Sequence, residues 1–216
     1  VFVAIDGKSA GILAVADPDN EARESFALNH SDATICLCAA MRRLIAELHG
    51  VPEVRLPIVP TGVVPGAAVT RTRRLEALER LKRRGKKLVL FVGRDSWEKG
   101  SDLLAQLVLG IRSRTENVEF VLVGIGRRRW AEHLLLPGVR MLDWMDEGEL
   151  FALYQLCDVL MLPSRRDPLP YVLLESMAQG LVPVVTDVDG PGEVVTQGEC
   201  GLVVPTERGD GVVEIA

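Results

Sequence analysis

From residue 88 onward the chain alternates short, almost wholly apolar runs with amphipathic ones. LVLFVG (88–93), VEFVLVG (118–124), VRML (139–142), DVLMLP (158–163) and LVPVVTD (181–187) read as strands. SDLLAQLVLGIRS (101–113), the stretch from Asp146 to about Leu156, and YVLLESMAQ (171–179) read as helices. A strand that is apolar at successive positions has no face to give to water. Strands of that kind alternating with helices predict an α/β fold: a Rossmann-like parallel sheet with helices on both faces. Ligands of such sheets bind beyond the carboxyl ends of the strands, so the loops that follow each strand are where chemistry is expected.

The region before this alternation reads differently. VFVAID and SAGILAVA form an expected hairpin over residues 1–18, turning at Gly7-Lys8. Residues 20–30 read as a polar helix, ATICLC (33–38) as a buried strand, and AMRRLIAELHG (40–50) as a helix closing on Gly50. The prolines of VRLPIVPTGVVPG (54–66) forbid a regular helix, and the segment reads as a linker. The basic helix RTRRLEALERLKRRGKK (71–87) is most simply a solvated face, with nucleic-acid or lipid binding as the other reading. Asp146 can cap the helix after the third strand, with Glu149 completing a capping box.

Bulk properties narrow the classes. The formal charge of −5 disfavours a general nucleic-acid surface. No run approaches the roughly 18 apolar residues of a membrane span, and no signal peptide is visible, so the cytoplasm is the expected compartment. Cys36, Cys38, Cys157 and Cys200 form no CxxC pair and read as structural thiols; His30, His49 and His133 are scattered, so no metal site is expected. The chain starts at Val1 rather than Met, which suggests a fragment.

The loops carry the candidate site. The first strand of the alternation ends in Gly93-Arg94, and Lys99-Gly100 precedes the next helix. A glycine backbone, helix-terminal N–H groups and two cations could together hold a diphosphate, or could form a plain strand-to-helix turn. Gly124-Ile125-Gly126 is an incomplete GxGxxG, with Arg129 at the third glycine position, and supports an oxidoreductase only weakly. Asp167 lies in a loop stiffened by Pro168 and Pro170. Glu175 follows inside an apolar helix pattern, where a carboxylate needs a partner: a ligand hydroxyl, or Arg165 or Arg166. Gly190-Pro191-Gly192-Glu193 reads as a tight turn, either facing a phosphate or plain, with Glu193 available to a helix N-terminus.

In this order the pieces LFVGRDSWEKG (90–100), VEFVLVGIG (118–126), DEGELFALYQLCDVLMLPS (146–164), DPLPYVLLESMAQGLVPVVTDVDGPGEVV (167–195) and GECGLVVP (198–205) resemble the C-terminal half of retaining glycosyltransferase family 4 enzymes of the GT-B fold. Residues 31–63 resemble the last unit of the N-terminal half with the interdomain linker. The resemblance implies a division into residues 1–66, a remnant of the N-terminal domain, and residues 67–216, a nucleotide-sugar-binding domain shortened at its C-terminus. It implies transfer of a sugar from a nucleotide-sugar donor to a glycan or lipid-linked acceptor, with retention of configuration. Arg94 and Lys99 match the pair that neutralises the donor diphosphate, so no metal or cofactor is implied. Asp167 and Glu175 match the two acids of the E-x7-E motif, which touch the transferred sugar and the ribose. Gly93, Gly124, Leu169, Pro170, Tyr171 and Val172 match donor-facing backbone, and Met141 and Leu142 belong to the strand and loop beside the base. Asp167 replaces the usual Glu, and Pro170 a common Gly. A peripheral membrane association is left open by the same resemblance. Most of an N-terminal domain is lacking, so turnover by this chain alone is not expected. The alternatives are a non-catalytic truncated or chimeric nucleotide-binding module and a GT-B nucleotide-sugar epimerase. VFVAIDGKSAGILAVADP (1–18) resembles instead a short segment of P-type ATPases, without the motifs that carry their chemistry.

Overall fold

The computed structural model describes residues 2–4, 18–63, 69–125, 131–196 and 198–205. The first unit contains strands β1 (Phe2–Ala4) and β2 (Ala33–Ile35), paired in parallel, and helices α1 (Pro18–His30) and α2 (Ala39–His49). Its core gathers Leu28, Cys36, Cys38, Met41, Ile45, Val51 and Leu56. Cys38 caps α2 through its sulfur, which accepts from the Met41 amide at 3.4 Å. Gly50 ends the helix as expected, in the left-handed region at φ 65°, where its amide reaches the Ala46 carbonyl. The turn and second strand of the expected hairpin lie outside the described residues. The expected linker is not free at its start. Residues 53–55 form a 3₁₀ turn, and the chain around Ile58 bridges to Cys36, whose amide donates to the Pro57 carbonyl at 2.9 Å and whose carbonyl accepts from the Val59 amide at 2.8 Å.

The second unit runs α3 (Arg73–Arg83), β3 (Lys87–Val92), α4 (Leu104–Arg112), β4 (Val118–Val123), β5 (Val139–Leu142), α5 (Glu147–Leu156), β6 (Val159–Leu162), α6 (Tyr171–Ala178), β7 (Val182–Thr186), α7 (Asp189–Val194) and β8 (Leu202–Val204). The strands form one all-parallel sheet in the order β5-β4-β3-β6-β7-β8. The period-2 alternation of side chains explains why the strands are apolar throughout. Leu88, Leu90, Val121, Val123, Leu160 and Leu162 pack with α3, α5 and α6 on one face. Val89, Phe91, Phe120, Leu122 and Met161 pack with α4 and Leu134 on the other. This is the Rossmann-like sheet read from the sequence, and its order reverses between β3 and β6, the place where such sheets bind ligands.

Three local expectations change. α4 begins at Leu104 rather than Ser101, because residues 97–99 form a 3₁₀ turn that ends on left-handed Gly100. The Asp146 carboxylate does accept from the Glu149 amide at 2.8 Å, but the capping box stays half-made: the buried Glu149 carboxylate pairs with Arg74 at 3.0 Å. Residues 190–193 are not a turn but the body of helix α7, with Pro191 in its first turn, where a missing N–H costs nothing.

Candidate functional site at the strand-order reversal

The loops leaving β3 and β6 are bound to each other before any ligand is considered. Arg165, nearly buried, grips the Asp102 carboxylate through two parallel bonds of 2.7 and 2.9 Å. Its guanidinium also donates to the Trp97 carbonyl at 2.9 Å and lies 4.8 Å over the Trp97 ring. The amides of Arg165 and Arg166 donate to the Glu98 carbonyl at 2.8 and 3.3 Å. Gly100 allows the closest approach: a Cβ there would stand 2.0 Å from the Pro163 carbonyl oxygen.

This stitching brings Lys99 onto Asp167, with Nζ in direct contact with Oδ2. Asp167 is 5% exposed. Burial raises its pKa above the ordinary carboxylate value; Lys99 pulls it back down, and the Asp189 charge adds to the rise. The Asp167 amide donates to the Asp189 carboxylate at 3.1 Å.

Glu175 sits in the second turn of α6, half-buried. Its partner is neither of the arginines named as the alternative to a ligand hydroxyl. Arg165 is held by Asp102, and Arg166 lies in the field of Glu98. The Tyr154 hydroxyl on α5 donates to Glu175 Oε2 at 2.9 Å. Tyr154 is fully buried, and burial together with the Glu175 charge pushes its phenol far above the usual range.

The remaining candidates line the carboxyl edge of the same sheet. Gly93 and Gly124 end β3 and β4 with their backbones pressed together: a Cβ on Gly124 would stand 2.8 Å from the Gly93 carbonyl oxygen. The Gly124 amide donates to the carbonyl of Leu142, which ends β5 next to Met141. Leu169 is buried, Pro170 precedes α6 in extended conformation, Tyr171 is exposed and Val172 packs against the core. Arg94 is exposed on the β3 loop, near Glu98. The structure thus joins Lys99 to Asp167, and Gly93 to Gly124, while Arg94 touches neither acid and Glu175 turns to Tyr154. Gly126 lies outside the described residues. The sequence reading missed Tyr154, Asp102 and Asp189. Only the polar hydroxyl of Tyr154, inside the apolar run LFALYQL, carried a signal that could have exposed one of them.

Among the described residues, no group of three or more His, Cys, Asp or Glu side chains converges as a metal site would require, and no helix is long and apolar enough to cross a membrane. Residues 1–18, apart from β1 and Pro18, lie outside the described residues, and with them the ATPase-like segment.

A one-way parallel sheet of this order, covered by helices on both faces, is the Rossmann-like unit found in GT-B glycosyltransferase folds. The chain belongs to the family described as glycosyl transferases group 1, whose model matches residues 74–214. A glycogen synthase of Mycobacterium tuberculosis is 30% identical over 186 residues, covering 83% of this chain and 43% of that protein. Among solved structures, Anabaena HepE in complex with UDP-glucose superposes with a TM-score of 0.77 at 18% identity, over 94% of this chain and 58% of that one. Sucrose-phosphate synthase from Thermosynechococcus elongatus superposes with a TM-score of 0.74 at 21% identity, over 94% and 54% of the two chains. The chain spans about half the length of the curated relatives it matches.

Proposed function

We propose that this chain binds the donor in a glycosyltransferase that moves a sugar from a nucleotide-diphosphate sugar to an acceptor hydroxyl with retention of configuration. The observation that carries the reading is the Lys99–Asp167 pair at the β3/β6 reversal, where a cation and a buried acid meet beyond the strand ends. Lys99, with Arg94 from the same loop, would face the diphosphate. As the glycosidic C–O bond breaks, their charge stabilises the leaving group in the role a metal takes in other transferases. Asp167 would face the sugar hydroxyls. Glu175, aimed by Tyr154, would accept from the ribose hydroxyls. Gly93 and Gly124 keep backbone close to the nucleotide, Met141 and Leu142 flank the base, and residues 169–172 face the sugar. The family membership and the likeness to HepE, solved with UDP-glucose, support a nucleotide-sugar donor. In this reading residues 1–66 belong to the acceptor-side half and residues 67–216 to the donor side, acting in the cytoplasm or at a membrane surface.

Calorimetry with UDP, GDP and ADP tests the proposal. Binding to one of them at millimolar strength or better is expected, weakened by Glu175→Ala. A folded sample that binds none of the three rejects the reading.

A further inference from the structure

We propose that Glu193 is a positioning residue for Asp167, acting through helix α7, so that the placement of α2 and the shape of the Asp167 loop are coupled. The inference rests on the reading of Asp167 as the residue that faces the transferred sugar.

Helix α7 is six residues long and is fixed at both ends. At its start, the Asp189 carboxylate accepts from the Asp167 amide at 3.1 Å, and the Gly190 amide donates back to the Asp167 carbonyl at 3.3 Å. Space there is exhausted. A Cβ on Gly190 would stand 1.6 Å from the Pro168 carbonyl oxygen and 3.2 Å from Leu169 Cα. Asp189 itself is held at φ 41°, a conformation that a non-glycine residue keeps only when its surroundings dictate it.

At the other end, the Glu193 carboxylate leaves the sheet unit altogether. Its two oxygens accept from the amides of Ala39 and Ala40 at 2.8 and 2.7 Å. Those amides open α2, and the helix's own cap, the Cys38 sulfur, serves Met41. A carboxylate at a helix N-terminus satisfies donors that the helix cannot and meets its positive end. Arg43, one turn on, stands 3.9 Å from the same carboxylate.

The chain of contacts therefore runs from α2 through Glu193, along α7, through Asp189 and Gly190, to Asp167. Every joint is a hydrogen bond or a close steric contact, so displacement of α2 has no slack in which to be absorbed. Lys99 and Arg94 come from the β3 loop, which these bonds reach only through the Lys99–Asp167 contact and which is fastened separately by Arg165 to Asp102 and Trp97. Loss of Glu193 should thus act on the sugar-dependent share of donor affinity and spare the nucleotide-diphosphate share.

The test uses Glu193→Ala and the milder Glu193→Gln in the full chain, with two readouts. Hydrogen exchange of the peptide over residues 164–170 should speed up roughly fivefold or more in Glu193→Ala, and less in Glu193→Gln, alongside the directly affected amides of Ala39 and Ala40. By calorimetry with UDP and UDP-glucose, GDP and GDP-mannose, and ADP and ADP-glucose, the preference for the sugar-bearing member of the pair bound by the wild type should fall by a similar factor. Affinity for the bare diphosphate should stay within about twofold. Faster exchange confined to Ala39 and Ala40 overturns the proposal, as does an equal loss for both members of the pair. If the wild type binds none of the pairs, the donor reading fails and exchange at residues 164–170 alone decides the coupling. If Glu193→Ala does not fold, Glu193→Gln carries both readouts with the same signs expected.

Discussion

The Tyr154 hydroxyl reaches Glu175 at 2.9 Å from a side chain that solvent does not touch. A carboxylate at the rim of the site is therefore aimed from the inside of the protein, by a bond between α5 and α6. Removing the hydroxyl in Tyr154→Phe keeps the ring packed and costs about 1 kcal/mol, which lowers the melting temperature by about 2–4 °C. Glu175→Ala leaves the hydroxyl buried without its acceptor and costs more, about 1–3 kcal/mol. Thermal melts of the two variants check the order, and a milder effect for Glu175→Ala contradicts it. The pH dependence has a definite sign. The folded protein holds the Tyr154 proton beyond the pH at which an unfolded tyrosine loses it, near 10. Above that pH the native state binds more protons than the unfolded one, so stability falls as pH rises. Tyr154→Phe should flatten that alkaline decline.

Lys99 and Asp167 give a prediction at the acid end. Burial raises the Asp167 pKa in the folded state, so this group's contribution is fullest below the unfolded value near 3.8 and is lost as pH rises through the folded value. Lys99 limits the loss by stabilising the carboxylate. Lys99→Met removes that opposing pull and leaves a buried charge without its cation. The expected cost at neutral pH is about 1–3 kcal/mol, below that of a fully buried pair because Lys99 is 25% exposed along its side chain. As pH falls through the raised folded value and Asp167 takes up its proton, the gap to wild type should shrink. Melting curves across that range decide; a difference that grows on acidification runs against the argument.

What the sequence disclosed and what it hid separate along physical lines. Strands β3, β4, β6 and β7 were legible because both faces are covered, which writes the strand into every residue from Leu88 to Val92 and from Val159 to Leu162. Strand β8 has one half-covered row and three residues, too little for a pattern to emerge. Gly190 to Glu193 looks like a turn because two glycines and a proline suppress helix propensity; contacts with Pro168 and with the α2 amides impose the helix instead. Lys99 and Asp167 stood out as residue types in the right loops. Their direct contact did not, since it depends on Arg165 and Asp102, a pair separated by 63 positions. The alternative pairing of Glu175 with Arg165 or Arg166 failed for the same reason: sequence proximity does not say which carboxylate a guanidinium will reach first.

Arg165 is the fastener between the two site loops, and its geometry demands a guanidinium. Arg165→Lys retains the charge but loses the two-pronged grip on Asp102 and the stacking on Trp97. We expect a loss of about 1–3 kcal/mol and faster hydrogen exchange over residues 96–102. Asp102→Asn should produce a similar pattern, and the double variant should cost less than the two single losses added together. Additive losses would show that the contact contributes nothing of its own.

The thiols divide sharply by environment. Burial and the neighbouring Asp158 push Cys157 up to about 12, and burial raises Cys36 and Cys38 above the ordinary thiol value. Cys200 alone among the four is exposed. Since the thiolate is the reactive form, a disulfide reagent at pH 8 should titrate one thiol quickly and the other three only on unfolding. Cys200→Ser should erase the fast phase; a fast phase that survives it would place a second reactive thiol at the surface.

Two glycines in the same backbone region test how tightly the site loops are joined. Gly50 and Gly100 have φ of 65° and 68°, so alanine meets the same intrinsic strain at each, about 1 kcal/mol. Around Gly50 a Cβ meets nothing within 4 Å, whereas at Gly100 it would stand 2.0 Å from the Pro163 carbonyl oxygen. Relief at Gly100 requires the β3 and β6 loops to part, which carries Lys99 away from Asp167. Gly50→Ala should therefore cost about 1 kcal/mol and leave diphosphate affinity unchanged. Gly100→Ala should cost several-fold more, roughly 3 kcal/mol or above, and weaken diphosphate binding at a temperature where the variant is still folded. Equal melting temperatures for the two variants would mean that the loops have room to move apart and that Lys99 is not held in place by them.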